Sequence, residues 1–171
     1  MATFVVAPDK VRAVVDAAMK WHKELTEHGV RIAVLLAYGR RDADTHELTS
    51  PALTHGGYPA LGLCRINGLR DRVEGKADAT VIFDGDQWPD LPDARQLSLA
   101  DHELEHLELV KDDDGNVKLD DACRPRLKIR KHDMVVGGFA AIVERHKGEA
   151  NEAVALVQCQ QMLQPMFAEW G

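Results

Sequence analysis

The chain has 171 residues, of which 45% are apolar and 29% are charged, and its formal net charge is −7. This composition is typical of a soluble globular protein that is long enough to bury a core. The negative charge argues against a protein that coats nucleic acid, because polyphosphate repels such a surface. No apolar run in the sequence approaches the ~20 residues that a membrane-spanning helix needs.

The three cysteines, Cys64, Cys123 and Cys159, form no Cys-x-x-Cys pair. A sparse, odd number of cysteines suits a reducing compartment and excludes a structural zinc site made of four cysteines. The opening residues, MATFVVAPDK, lack the cationic start and the cleavage signature of a signal peptide. We therefore expect a cytoplasmic protein with no membrane contact and no nucleic-acid partner, and the sequence leaves its oligomeric state open.

The first half of the chain predicts one helix followed by three strands. Apolar residues recur at helical spacing from Asp9, and Gly29 supplies a stop. The β-branched, almost continuously apolar run VRIAVLLAYG, residues 30–39, predicts a buried strand. Two further strands are predicted over residues 58–66 and 77–83.

The second half of the chain predicts mainly helices. One helix is expected from about Asp90 to Leu109, and Asp114-Gly115 between two short alternating runs indicates a hairpin. Another helix is expected over 132–146, and a last amphipathic helix follows it. Because the strands come early, helices flank them and no linker divides the chain, the sequence predicts a single α+β domain.

The helix predicted before position 109 carries His102-Glu103-Leu104-Glu105-His106, which has the spacing of a zinc-binding helix. Histidines at i and i+4 point the same way one turn apart, so both imidazoles can bind one ion. Glu103 lies at the edge of that face, where it can take a proton from a zinc-activated water and pass it to a leaving amine. His102 and His106 are therefore candidate zinc ligands, and Glu103 is the candidate general base.

The same letters could belong to an exposed polar helix face. At ~100° per residue the apolar residues gather on the side almost opposite the two histidines. These apolar residues are Leu97, Ala100, Leu104 and Leu107. Such a helix can pack its apolar face on the core and present metal ligands to a cleft. An ordinary surface helix, however, has the same pattern. Random order would give the motif only about 2% of the time, so we favour a metal site.

The third ligand is less defined, since a catalytic zinc keeps three protein ligands and leaves the fourth position open. His132, in RKHDMVVGGF, is the next histidine and the preferred candidate, although it could be a capping or surface residue. Four other residues compete with it: Asp133, Glu144, His146 and Cys123. Asp133 and Asp101 could instead accept a hydrogen bond from a ligand imidazole, and a plain surface acid is the simpler interpretation of each.

Several neighbours of the motif receive structural interpretations. Glu105 and Glu108 are turned away from His106 on the helical wheel, and we expect both to reach solvent. Trp88 is expected to anchor the core rather than to bind substrate. The strand over 77–83 is a candidate edge for binding an extended substrate, and an interior strand is an equal alternative.

Three stretches together resemble the phage and prophage zinc metallopeptidases, which are small zincins. These stretches are THGGYPALGLCRIN, ADATVIFDGDQWPDLPDARQLSLADHELEHLE and RPRLKIRKHDMVVGGFAAIVERHKG, and the likeness covers roughly residues 30–148. The resemblance implies a zincin-like domain, in which a small mixed sheet packs against the motif helix and flanking helices. We expect this single domain to span residues 1–171, with the amphipathic C-terminal helix over 149–171 beyond the resembling core. The resemblance also implies Zn²⁺ held by His102, His106 and His132, Glu103 as general base, and a peptide or protein substrate.

Other classes of function stay open beside a zinc metallopeptidase. One is a zinc-stabilised binding module without turnover that acts on a host or phage protein. Another is a metal-free structural protein in which the motif is a coincidence. A third is a protease recruited to DNA by the basic run RPRLKIRK, residues 124–131, although a strand with its cations on a solvated face explains that run more simply.

Overall fold

The computed structural model describes residues 2–133 and 138–157 of the chain. Within these ranges the strands are β1 (Thr3–Val6), β2 (Ile32–Tyr38), β3 (Thr54–His55), β4 (Tyr58–Pro59), β5 (Gly62–Ile66), β6 (Ala79–Asp84), β7 (Leu107–Leu109) and β8 (Leu127–Ile129). The helices are α1 (Asp9–Ala18), α2 (Lys23–Glu27), α3 (Leu69–Val73), α4 (Asp93–Glu105) and α5 (Ala140–His146), and residues 151–157 are also helical. The architecture is α+β, as the sequence predicts.

A four-stranded mixed sheet has the order β1-β2-β6-β5. Strands β2 and β6 are parallel, whereas β1 and β5 each pair in the antiparallel sense with their neighbours. Every residue of β6 is buried. The prediction that the strand over 77–83 is a sheet edge is therefore wrong. The strand lies in the interior of the sheet, as the alternative prediction states. The mainly apolar sequence of β6 is typical of a strand that is covered on both faces. The edge strand next to β6 is β5.

Helices α1 and α4 pack on this sheet and on each other. The apolar side of α4 is buried as predicted, with Ala100 and Leu104 both 0% exposed. Trp88 is also buried, and its ring centroid lies 4.4 Å from that of Phe83. The expected core role of Trp88 is confirmed. None of the helices in the described ranges is long and apolar enough to cross a membrane.

Helix α4 is shorter than the predicted helix over 90–109. It begins after Pro92, because a residue before proline disfavours the helical conformation and Leu91 is extended. At the other end the chain continues from the C-cap, His106, directly into β7. In β7, Leu107 and Leu109 are buried and Glu108 is exposed. This alternation with a period of two identifies a strand, and the sequence hides it because Leu107 also continues the apolar face of α4.

The segment after β8 also differs from the prediction. His132 and Asp133 precede α5 and are not helical, so the helix predicted over 132–146 begins later, at Ala140. Residues 134–137 lie outside the described part of the chain. The C-terminal helix predicted over 149–171 is observed for residues 151–157, and residues 158–171 lie outside the description.

The hairpin predicted at Asp114-Gly115 is present, since Lys111 and Val117 form an antiparallel bridge on either side of its turn. Gly115 in this turn has φ 86°, which is the left-handed conformation that glycine adopts without strain. The chain then reverses once more, and β8 pairs with β7 in the antiparallel sense. Because β8 ends opposite the start of β7, this pairing returns the chain to the C-terminal end of α4, beside His106.

Candidate metal centre

Helix α4 turns His102, Glu103 and His106 into a cavity of about 510 Å³. The opposite wall of this cavity is formed by β5 and the residues just before it, and residues 151–157 close one side. The histidine face and the apolar face of α4 therefore point in different directions. This is the arrangement that a metal site on this helix requires.

His132 completes a cluster of three imidazoles. Its Nε2 atom lies 3.2 Å from Nε2 of His102 and 3.2 Å from Nε2 of His106. Two ligands at 2.0–2.1 Å from a tetrahedral zinc are about 3.3 Å apart, so the spacing fits such an ion. The structure brings the three predicted ligands together, and their role as metal ligands stays a prediction.

The outward nitrogens of two rings have protein partners. Nδ1 of His106 lies 2.8 Å from the carbonyl oxygen of Arg130, and this oxygen can only accept, so Nδ1 donates. Nδ1 of His102 lies 2.6 Å from Oε1 of Glu152. A neutral imidazole that donates through Nδ1 has its lone pair on Nε2. These contacts therefore prepare both Nε2 atoms to bind a cation.

Burial and neighbouring charges shift the pKa values of the cluster. Burial lowers the pKa of His106 to about 4 and, together with the charge of His102, lowers that of His132. For His102, burial acts against the charged ring, but the Glu152 hydrogen bond and the nearby Glu103 carboxylate raise the pKa overall. His106 is thus neutral above about pH 4, and a metal binds the neutral form of an imidazole.

Glu103 is 4% exposed and lies against the backbone of β5 at Gly62. Burial is the main cause that raises its pKa to about 7, and the charge of Glu152 adds to the rise whereas that of His102 opposes it. A carboxyl group with a pKa near neutrality can both take and release a proton under physiological conditions. This property is what the predicted general base needs.

None of the four competing ligands belongs to the cluster. The Asp133 carboxylate bonds to the Arg130 side chain at 2.9 Å and to the Ala140 backbone N–H at 2.8 Å. Cys123 and Glu144 are exposed, and His146 bonds to Asp101 at 2.8 Å. Neither Asp101 nor Asp133 accepts a hydrogen bond from His102, His106 or His132, so the role suggested for them is filled by Glu152 instead.

Asp101 and Glu105 form a second polar cluster on another face of α4. Asp101 is 0% exposed and accepts from His22 at 2.7 Å, from His146 at 2.8 Å and from Arg145 at 2.9 Å. The expectation that it is a surface acid is wrong. The helical wheel describes one helix alone, and three donors from two other segments cover this face: His22, and Arg145 and His146 at the end of α5.

Glu105 is also more enclosed than expected. Its side chain is 10% exposed and pairs with Arg130 and, at 3.1 Å, with Arg145. The prediction that Glu105 reaches solvent is therefore wrong, whereas Glu108 is exposed and pairs with Lys128 at 3.0 Å. Because Arg130 binds Glu105 through its side chain and His106 through its backbone, it ties the segment that carries His132 to the motif helix.

The basic run over 124–131 is largely neutralised by these contacts. Three of its cations each pair with a carboxylate of another segment, as Arg124 does with Asp78, Lys128 with Glu108 and Arg130 with Glu105. Charges that are satisfied within the protein contribute less to binding a polyanion. The run is better described as a set of structural ion pairs than as a DNA-binding patch.

Glu152 and Gly62 are the two site residues that sequence reasoning missed. A glutamate among the apolar residues of NEAVALV was a signal, because a charge on the buried side of a helix requires a partner. Gly62 carried no comparable signal, since the contact that needs a glycine is made by a residue 41 positions away.

One comparison with known proteins identifies a family for the chain. The model of a family described as "Putative phage metallopeptidase" matches residues 4–164. The chain belongs to this family, whose description names metal-dependent peptidases of phage. No curated protein and no solved structure matches the chain.

Proposed function

We propose that the protein is a zinc-dependent peptidase in which His102, His106 and His132 hold the metal and Glu103 is the general base. One observation carries the proposal: the three Nε2 atoms converge on one point beside a buried carboxylate of raised pKa. Three nitrogen ligands with a fourth position left open are typical of a catalytic zinc site, whereas structural sites use four protein ligands.

The residues of the chain divide the chemistry between them. When bound, zinc supplies a Lewis acid that polarises a peptide carbonyl and makes water more acidic. Glu103 takes a proton from the attacking water and delivers it to the departing amine. Burial supports this role because it brings the pKa of Glu103 to about 7. Glu152 and the Arg130 carbonyl keep the two helix imidazoles in the orientation that binding requires.

Strand β5 supports a peptide as the substrate. In the described part of the chain it pairs with β6 on one side, and the residues from Leu61 to Cys64 line the cavity. An extended peptide can add to such an edge through backbone hydrogen bonds. We propose that the substrate lies along β5 with its scissile bond between Glu103 and the three histidines.

Metal content and hydrolysis test the proposal together. We expect one zinc per wild-type chain and its loss or strong weakening in the His102→Ala and His132→Ala variants. His46→Ala is the matched control, because His46 lies in an exposed loop outside the cluster and should leave zinc binding unchanged.

A Glu103→Gln variant separates the metal site from the reaction. We expect it to retain zinc and to lose the hydrolysis of a peptide mixture, as followed by mass spectrometry. Wild-type protein that binds no zinc would overturn the proposal. Wild-type protein that binds zinc but cleaves no peptide would favour a zinc-stabilised binding module instead.

A further inference from the structure

The cavity extends along α4 beyond the proposed metal ligands. Arg95, Leu99, His102, Glu103 and His106 all line it, at the spacing of one helical face. A helix rises about 1.5 Å per residue, so Arg95 is about 10 Å along the axis from His102. A substrate side chain next to the reacting bond can therefore extend from the proposed metal ligands to Arg95.

Arg95 has no carboxylate partner among the described residues. Its Nε and Nη2 atoms both donate to Oδ1 of Asn151, at 3.0 and 2.8 Å, and the side chain is half-buried. By contrast, each of the other half-buried arginines in the described residues pairs with a carboxylate; they are Arg72, Arg124, Arg130 and Arg145. The charge of Arg95 is thus held in place by a neutral amide and is left available to a ligand.

Apolar side chains form part of the walls of the cavity that Arg95 lines. The cavity walls near and beyond the metal site include Leu61, Leu63, Leu99, Val154 and Ala155. A guanidinium beside apolar walls fits a ligand group that has an aliphatic part and ends in an anion. A charge-assisted pair with a carboxylate is favourable in such a partly desolvated place.

We propose that Arg95 binds a carboxylate of the substrate and thereby selects peptides with an acidic group next to the scissile bond. The inference rests on the proposed peptidase function and names its substrate class. The carboxylate can belong to a glutamate side chain or to the C-terminus of a peptide. Asn151 orients the guanidinium, because its side chain accepts two of the guanidinium hydrogen bonds.

Peptide hydroxamates test this subsite without any need for turnover. The hydroxamate group chelates zinc and so places the adjacent side chain in the cavity. Three probes carry leucine, glutamate or glutamine at that position, each as a C-terminal amide, and a fourth carries leucine with a free C-terminal carboxylate. Dissociation constants are measured on the zinc-loaded wild type and on the Arg95→Gln, Arg95→Lys and Arg70→Gln variants.

We expect one carboxylate probe to bind the wild type about tenfold more tightly than its neutral counterpart, which is the effect of one charged hydrogen bond. The preferred probe identifies the source of the carboxylate. The preference should vanish in Arg95→Gln, persist in part in Arg95→Lys, and stay unchanged in Arg70→Gln, which removes an exposed cation outside the cavity. Equal binding of the amidated leucine probe by all variants shows that the fold and the metal site are intact.

Two results would overturn the inference, and they differ from failure of the proposed function. The wild type could bind both carboxylate probes no better than the neutral ones, or a preference could survive in Arg95→Gln. In either case the leucine probe still binds, and the metal centre stands. If none of the four probes binds the zinc-loaded protein, the proposed peptidase site fails and the subsite with it.

Discussion

The carboxylate of Glu103 lies directly against the backbone of Gly62. A Cβ atom at position 62 would stand 2.5 Å from Oε1 and 2.9 Å from Cδ of Glu103, which is closer than real Cβ contacts allow. Strand β5 and helix α4 can therefore approach this closely only because position 62 has no side chain. The glycine sets the position of the proposed general base.

A methyl group at this position should disturb the reaction more than metal binding. We expect Gly62→Ala to lower kcat/KM at least about 100-fold, because displacement of a catalytic group by about 1 Å has an effect of that size. Zinc content should stay at the wild-type level. Gly68→Ala is the control, since a Cβ there would meet only Asp71, at 3.8 Å. Full activity of Gly62→Ala would mean that Glu103 does not act from its observed position.

The contact between Glu152 and His102 predicts a change in metal affinity. Replacement of Glu152 by Gln removes the charged acceptor that orients His102, and such replacements weaken metal binding by about 10–100-fold. A competition titration with a chromogenic chelator measures the change. Glu149→Gln, at an exposed position three residues earlier, should bind zinc like the wild type. An unchanged affinity in Glu152→Gln would remove Glu152 from the site.

The raised pKa of Glu103 predicts how the stability of the metal-free protein depends on pH. The folded carboxyl keeps its proton up to about pH 7, whereas the unfolded one releases it near 4.5. The contribution of this group to stability is therefore complete below pH 4.5 and is lost as the pH rises through 7.

Glu103→Gln has no such proton to lose. In the presence of a chelator, its free energy of unfolding should exceed that of the wild type by more at pH 8 than at pH 5, with a gain of up to about 3 kcal/mol. Urea unfolding at the two pH values measures it. A difference between the two proteins that is constant with pH would show that the Glu103 carboxyl titrates alike in the folded and unfolded chains.

The buried acid behind the site predicts a large loss of stability. Asp101→Ala leaves the donors of His22, His146 and Arg145 without their common acceptor. Removal of one partner from a buried ion pair costs about 3–5 kcal/mol. Denaturant unfolding of the metal-free protein measures the loss. Asp113→Ala, in the exposed hairpin turn, should stay within about 0.5 kcal/mol of the wild type.

The sequence predicts the parts of this site that depend on local spacing. His102, Glu103 and His106 lie within about one helical turn, so the periodicity of one helix places them on one face. The chemistry of histidine favours His132 among the five candidates for the third ligand, but no spacing rule predicts that it lies beside the other two. Residues brought together only by the packing of different elements, such as Glu152 against His102, leave little trace in a single sequence.

The same distinction explains the errors in the fold. Periodicity predicts that the segment over 77–83 is a strand but carries no information on its place in the sheet order. Leu107 fits both the apolar face of a helix and a strand, and the pairing of β7 with β8 decides between them. The helical wheel predicts a solvent position for Glu105 because the arginines that cover it, Arg130 and Arg145, come from distant positions in the sequence.

The segment that connects β7 to β8 can vary in length without a change in the strand pairing. Leu107 pairs with Ile129, so the strand ladder and not the distal turn determines where the segment with His132 begins. Insertions between Lys111 and Val117, at the far end of the hairpin, would leave that register intact. A change in the number of residues between His106 and His132 would consequently leave the two imidazoles side by side, and a search by fixed spacing would overlook a chain altered in this way.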